Sequence, residues 1–134
     1  MNLVIDASVA MKWFFLETGT QAALSLQEGS DRLFAPDLLK IEVGNNLVRG
    51  IRRGVLKRAD ADAAMAKLTL PAVDLVETGK LIDDAYTIAA QHGGSLYDAT
   101  YMALARNLAG QLVTADLQMM AVARKAKVKA RLIA

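Results

Sequence analysis

The chain has no cysteine, one histidine and one tryptophan among its 134 residues. Without cysteine it forms no disulfide, and at this length it needs none, since such a chain buries roughly two thirds of the surface its unfolded form exposes. The lack of cysteine fits a reducing cytosol. It also leaves metal binding, if any, to oxygen donors, because His92 alone cannot build a zinc site. Charge of neither sign is in excess: 16 basic and 14 acidic residues give a net charge of +2 and an isoelectric point near 9.0. That balance is too mild to imply nucleic-acid binding by itself. No run approaches the roughly 20 apolar residues that span a bilayer. The N-terminus has no basic region, and Asp6 and Lys12 interrupt its apolar run, so it does not read as a targeting segment. These absences predict a single domain over 1–134 that works in the cytoplasm, away from any membrane.

What is present is helix-forming and apolar. Hydrophobic residues make up 54% of the chain, much of it Ala and Leu. Short strand-like runs at 3–5, 32–34, 73–76, 111–114 and 128–133 are separated by helical patterns at 8–16, 20–27, 36–53, 60–70, 78–91, 95–108 and 117–127. Gly54, Pro71, Gly93 with Gly94, and Gly110 end four of those helices. Strands that alternate with helices predict an α/β fold with a parallel sheet covered on both faces. The connections are too long for hairpins.

In open parallel sheets, ligands bind outside the carboxyl ends of the strands. Asp6 directly follows the first strand, and Asp116 stands two residues beyond the fourth. Either suits a helix cap equally well. Asp98 follows Ser95 at capping-box spacing and flanks an apolar stripe of Tyr97, Tyr101, Leu104 and Leu108 that predicts a core-facing side. Glu42 lies in "PDLLKIEVGNNLVRG", where apolar neighbours leave little polar face, and Asn46 is one turn away on the same side. Gly44 in that helix predicts close packing against another backbone. Each acid has a structural explanation, but four of them at one sheet edge would repel and raise each other's pKa unless a cation joined them. Hard oxygen donors suit Mg²⁺ or Mn²⁺. His92, beside Gly93 at a helix end, reads as a surface residue or helix C-cap.

"LVIDASVAMKWF", "PDLLKIEVGNNL", "SLYDATYMALA" and "LVTAD" resemble the four acidic motifs of PIN-domain ribonucleases, most of all the VapC-type toxins of toxin–antitoxin pairs. The resemblance covers nearly the whole chain, with the motifs in order. It implies a three-layer α/β/α sandwich around a central parallel sheet. It implies that Asp6, Glu42, Asp98 and Asp116 hold Mg²⁺ or Mn²⁺, with Ser8, Asn46 and Thr114 as supporting polar residues. It further implies an endoribonuclease acting on RNA, a cognate antitoxin partner and a homodimer. One departure is that the chain continues "LQMM" after the last motif, where some relatives carry a further acid.

On that resemblance the reaction is metal-assisted hydrolysis of an RNA phosphodiester, with Glu42 as a further ligand or water-orienting group. Two basic clusters are candidates for phosphate contact or simply solvated faces: Arg49, Arg52, Arg53, Lys57 and Arg58, and a second over 124–131. The first helix is apolar nearly all round, with Lys12 its one charge, and predicts either complete burial or a groove for the antitoxin, with Trp13 in the groove. An aspartyl phosphotransferase is disfavoured because Ser8 stands where a second acid is needed. The remaining alternative is an inactive PIN-like module that binds RNA or protein.

Overall fold

The computed structural model describes residues 1–68 and 73–133. The first strand, β1 (Asn2–Ile5), carries three consecutive apolar residues, Leu3, Val4 and Ile5, buried on both sides of the pleat almost without exposure. That is the pattern of a central strand in a sheet covered on both faces. The others are β2 (Arg32–Pro36), β3 (Val73–Val76), β4 (Gln111–Thr114) and β5 (Ala130–Leu132). They form one sheet in the order β3-β2-β1-β4-β5, with every pairing parallel. Val4 pairs with Phe34 on one side and Leu112 on the other, so β1 sits at the centre.

Among the described residues seven α-helices connect and cover the strands: α1 (Ala7–Phe14), α2 (Thr20–Glu28), α3 (Leu38–Arg52), α4 (Arg58–Lys67), α5 (Ile82–His92), α6 (Leu96–Asn107) and α7 (Leu117–Lys125). The result is a three-layer α/β/α sandwich. Helix α6 lies across β2, β1 and β4 with α5 against it, while α1 and α3 pack on β4 and β2 and are backed by α2 and α4. Within α6 the run from Ala99 to Ala105 is buried throughout. Small Ala residues let this helix approach the sheet closely. No helix among the described residues is long and apolar enough to cross a membrane.

The boundaries differ from the sequence pattern where local chemistry competes with helix propensity. Pro36 ends β2 rather than starting α3, since a proline lacks the N–H that the helix would use and suits a strand end. Asp37 follows it and is tied across to the next crossover: its Oδ1 accepts from the Thr78 N–H at 3.0 Å and from the Thr78 hydroxyl at 2.5 Å. Thr78–Lys80 is a separate 3-10 turn before α5. The fourth helix starts at Arg58, two residues early, and the 69–70 end expected for it lies outside the described residues. The last strand shortens to three residues. Gly44 meets no foreign backbone: a side chain there would touch Met65 of α4 at an ordinary 3.5 Å. The close backbone approach is at Gly110, where a Cβ would run into the Asn2 carbonyl as the chain enters β4 beside β1.

Candidate active site

Every strand of a parallel sheet points its carboxyl end the same way, so Asp6 after β1 and Asp116 after β4 share one edge. Both cap the helices that follow. Asp6 Oδ1 accepts the Val9 N–H at 3.1 Å, and Asp116 Oδ1 accepts the Gln118 N–H at 2.8 Å and that of Met119 at 3.3 Å. Helices α3 and α6 begin near the same edge, which puts Glu42 in the second turn of α3 and Asp98 in the first turn of α6 beside them.

Two hydroxyls lock the ends of β1 and β4 together. Ser8 Oγ donates to Asp6 Oδ1 at 2.6 Å and accepts the Ala115 N–H at 2.9 Å. Thr114 Oγ1 donates to Asp6 Oδ2 and accepts the Asp116 N–H at 3.0 Å. Each hydroxyl has one proton and directs it to Asp6, while its lone pairs take the backbone N–H groups of the β4–α7 turn. Ser8 and Thr114 thus fix both Asp6 and the turn that carries Asp116. Asn46 does not touch the acids; its Oδ1 accepts from Arg49 Nη2, and both residues wall an open cleft of about 600 Å³ that also contains Glu42 and Tyr97.

The four acids act on one another. Asp98 is pushed up to about 6, first by burial and then by the negative charges of Asp116, Glu42 and Asp6. Burial also raises Glu42, opposed by a hydrogen bond from Tyr101 and reinforced by Asp6. Asp6, 5% exposed, is raised by burial despite its three donors. This is the signature of carboxylates gathered without a counter-charge, and none of the four has a Lys or Arg partner among the described residues.

The donor set fits a hard divalent cation: all oxygen, mutually repelling and beside an open cleft. It is not a closed cage. Among the described residues no three or more acidic, imidazole or thiol side chains are already placed to hold an ion together. Such a cation would keep part of its shell as water, as Mg²⁺ commonly does. His92 lies at the end of α5, in the helix's last turn, and is no part of the edge.

Three expectations change. Tyr97 does not face the core but is 62% exposed beside Asp98, because the buried side of α6 is carried by Ala99 through Ala105. Tyr101 is buried as expected, yet its hydroxyl donates to Glu42 Oε1 at 2.6 Å, a role its place in the apolar stripe concealed. Its need for a partner was the available signal, since a buried phenol hydroxyl seldom goes without one. The first helix is core on one side and groove wall on the other, and Trp13 takes part in both. Trp13 is core, with Nε1 donating to the Ala23 carbonyl at 2.8 Å. Lys12 is buried too and ties its Nζ to Glu17 and to the Thr18 carbonyl. The edge of Trp13 also lines a groove of about 550 Å³ with Phe14, Phe15 and Leu16, the last 93% exposed, and with Ala63 and Ala64 of α4.

The basic clusters separate. Arg49 shares the cleft with Glu42, while Arg58 is paired to Asp62 at 2.7 Å. Lys127 and Lys129 sit with Gly110 at the amino edge of the sheet, opposite the acids.

The PIN domain family model matches residues 3–125. Ribonuclease VapC3 of Pyrobaculum aerophilum is 32% identical over 121 residues, 89% of this chain and 92% of its own. Ribonuclease VapC9 of Mycobacterium tuberculosis is 35% identical over 117 residues, 87% of each chain. Among solved structures, Mycobacterium tuberculosis VapC20, described as a Sarcin-Ricin loop cleaving toxin, superposes with a TM-score of 0.70 at 20% identity, covering 89% of this chain and 93% of that one. VapBC2 from Rickettsia felis gives a TM-score of 0.69 at 11% identity, with 98% of each chain covered. At those identities the structural matches speak for the fold.

Proposed function

The chain belongs to the PIN domain family and, within it, to the VapC ribonucleases, and from that premise we propose that it is a metal-dependent endoribonuclease, the toxin of a toxin–antitoxin pair. The single observation that carries the site is the gathering of Asp6, Glu42, Asp98 and Asp116 at one sheet edge, where burial and then the other three charges raise Asp98 to about 6. A cation among the four would relieve that repulsion.

In this reading residues 1–134 form one PIN domain. Asp6, Asp98 and Asp116, with Glu42, hold Mg²⁺ or Mn²⁺. Such an ion, when bound, lowers the pKa of its water and offsets charge that develops on the phosphoryl oxygens. The chain's own groups do the rest. Ser8, Thr114 and the Val9 N–H fix the Asp6 carboxylate, so it needs no reorganisation as charge develops. Glu42 is held through Oε1 by Tyr101, which leaves Oε2 free toward the ion. One P–O bond would form to the water oxygen and the bond to the leaving ribose oxygen would break, the water's proton going to solvent and the leaving oxygen taking one from it. Arg49, in the Glu42 cleft, is the basic side chain best placed to meet a substrate phosphate.

The groove past α1 supports an antitoxin partner, since exposed apolar surface beside Phe14, Phe15 and Leu16 needs cover. Exposed Ile41, Ile82 and Tyr86 offer surface to a second copy. The absence of cysteine fits action in the cytoplasm.

The deciding experiment is RNA cleavage by protein stripped with EDTA and then given Mg²⁺ or Mn²⁺. Cleavage is expected to vanish and return. Full activity in EDTA, with metal content checked, refutes the metal mechanism. No cleavage of any RNA with either ion leaves the chain as an inactive binding module.

A further inference from the structure

Tyr101 is 1% exposed in the middle of α6, among alanines and apolar residues that press on the sheet. A phenylalanine would fill that space equally well and bury no polar atom. The hydroxyl is therefore the part that needs an explanation. Its one hydrogen bond goes to Glu42 Oε1 at 2.6 Å, at the short end of the range for a neutral hydroxyl on a carboxylate. The contact spans 59 positions of sequence and joins α3 to α6. Asp98 lies three residues before Tyr101, one helical turn away, so a single helix carries both one acid of the cluster and the anchor of another.

The bond divides the two oxygens of Glu42. Oε1 is taken. Oε2 accepts nothing among the described residues, and because no buried polar side-chain atom there lacks a partner, Oε2 must reach solvent. Without the phenol, Glu42 would be a half-buried side chain on a helix, free to turn along the cleft that it shares with Asn46 and Arg49.

We propose that Tyr101 is a positioning residue: through its hydroxyl it holds Glu42 so that one carboxylate oxygen always faces the other three acids and the divalent cation they bind. This rests on the reading of Glu42 as part of the metal site. Tyr101 touches neither substrate nor ion. Its effect is to remove the rotamer freedom that Glu42 would otherwise lose on metal binding. Hydrogen-bond partners of ligating carboxylates are worth about 10–100-fold in metal affinity.

The test measures Mn²⁺ affinity by electron paramagnetic resonance without RNA, on wild type, Tyr101→Phe, Glu42→Gln and the double variant, with metal-free melting as a control. Tyr101→Phe is expected to melt near the wild type yet bind Mn²⁺ about 10-fold or more weakly. In the Glu42→Gln background the same change is expected to add nothing, because the group that Tyr101 holds is no longer a ligand. Unchanged affinity in Tyr101→Phe overturns the proposal and leaves the metal site intact. So does a loss that simply adds to that of Glu42→Gln, which would mark a general loosening of α6. Wild-type affinity in Glu42→Gln would overturn the metal role of Glu42 and this proposal together. If Tyr101→Phe does not fold, ¹⁹F NMR of fluorotyrosine-labelled wild type decides, with Tyr86→Phe and Tyr97→Phe used for assignment. The Tyr101 signal is expected to shift as Mg²⁺ saturates the site, and a signal that stays fixed overturns the proposal.

Discussion

The β1–α1 and β4–α7 junctions are built alike: a largely apolar strand, an aspartate one or two residues past its end, and a helix capped by that aspartate. Their aspartates have different surroundings. Asp6 belongs to the central strand, is 5% exposed and receives hydrogen bonds on both oxygens. Asp116 follows a strand one place further out, is exposed, and accepts its two backbone N–H groups on Oδ1. Capping and participation in a site are thus compatible. A cap occupies one oxygen and leaves a carboxylate at the positive end of a helix, where an anion is favoured. What separates the two positions is how firmly the surrounding chain fixes the group.

The first way to break the comparison is by rate. Asp6→Asn and Asp116→Asn each keep a competent cap but remove a charge. If both acids serve the cation, each variant is expected to lose RNA cleavage on the order of 10³-fold or more, the scale of losing a catalytic group. Cleavage assays at saturating Mg²⁺ check this. Wild-type rates in Asp116→Asn would make that junction a cap alone and confine the site to Asp6, Glu42 and Asp98.

Next in size is the far end of α1. Trp13 fills the core and its Nε1 donates to the Ala23 carbonyl, so Trp13→Ala removes a large apolar volume and leaves that carbonyl without its partner. A loss of about 3–5 kcal/mol in chemical denaturation is expected. Leu16→Ala, at the exposed end of the groove, is expected to weaken antitoxin binding instead, with stability little changed. A destabilised Trp13→Ala that still binds antitoxin normally once folded would confirm that its role is packing.

Much of this was legible in the sequence, for identifiable reasons. The parallel sheet followed from apolar runs spaced too far apart for hairpins, and the acids stood out because they interrupt or follow those runs. Ser8 and Thr114 came only from the family resemblance, as small hydroxyls near the first and last acids, and nothing in the sequence itself marked both as partners of Asp6. Tyr101 could not be separated from the core stripe, since its ring is core and only its hydroxyl belongs to the site. Tyr97 misled because period-3.6 reasoning assigns a face without knowing how far the sheet extends; the first turn of α6 projects beyond it. The burial of Lys12 was hidden for a related reason. Its charge is satisfied by Glu17 and the Thr18 carbonyl, in a turn that no periodicity describes.

A smaller effect concerns pH. Asp98 titrates near 6 in the fold against 3.8 in the open chain. The native state therefore holds its proton more tightly, and the stability this gives is fully present below pH 3.8 and lost as pH rises through about 6. Glu42 and Asp6 are raised as well and act in the same direction. Metal-free protein is expected to become less stable between about pH 4 and 7, with Asp98 contributing on the order of 1–2 kcal/mol after solvent screening. Saturating Mg²⁺ is expected to reverse the trend, because the ion binds the ionised cluster. Urea melts in EDTA and in Mg²⁺ across that range check both, and Asp98→Asn is expected to flatten the metal-free slope. An unchanged slope in that variant would remove Asp98 from the cluster.

The finest distinction lies in the stability of the two asparagine variants without metal. At position 116 an asparagine oxygen replaces the cap directly and the other end of the side chain faces solvent, so the change is expected to stay within about 0.5 kcal/mol at low pH; at higher pH the loss of its charge relieves Asp98 and Asp6. At position 6 the exchange is not innocent. The new side chain in Asp6→Asn can offer its one oxygen to the Val9 N–H and Ser8, but its amide then faces Thr114 Oγ1, which already accepts the Asp116 N–H. The Thr114 proton loses its acceptor, a cost of about 1 kcal/mol. Against this, the substitution removes the penalty of ionising a buried carboxylate, a penalty that grows as pH rises above 3.8. Asp6→Asn is therefore expected to be less stable than wild type at low pH and to gain on it steeply as pH increases, while Asp116→Asn starts level with wild type and gains less. Parallel curves for both variants would mean that Asp6 carries no more electrostatic strain than an exposed cap.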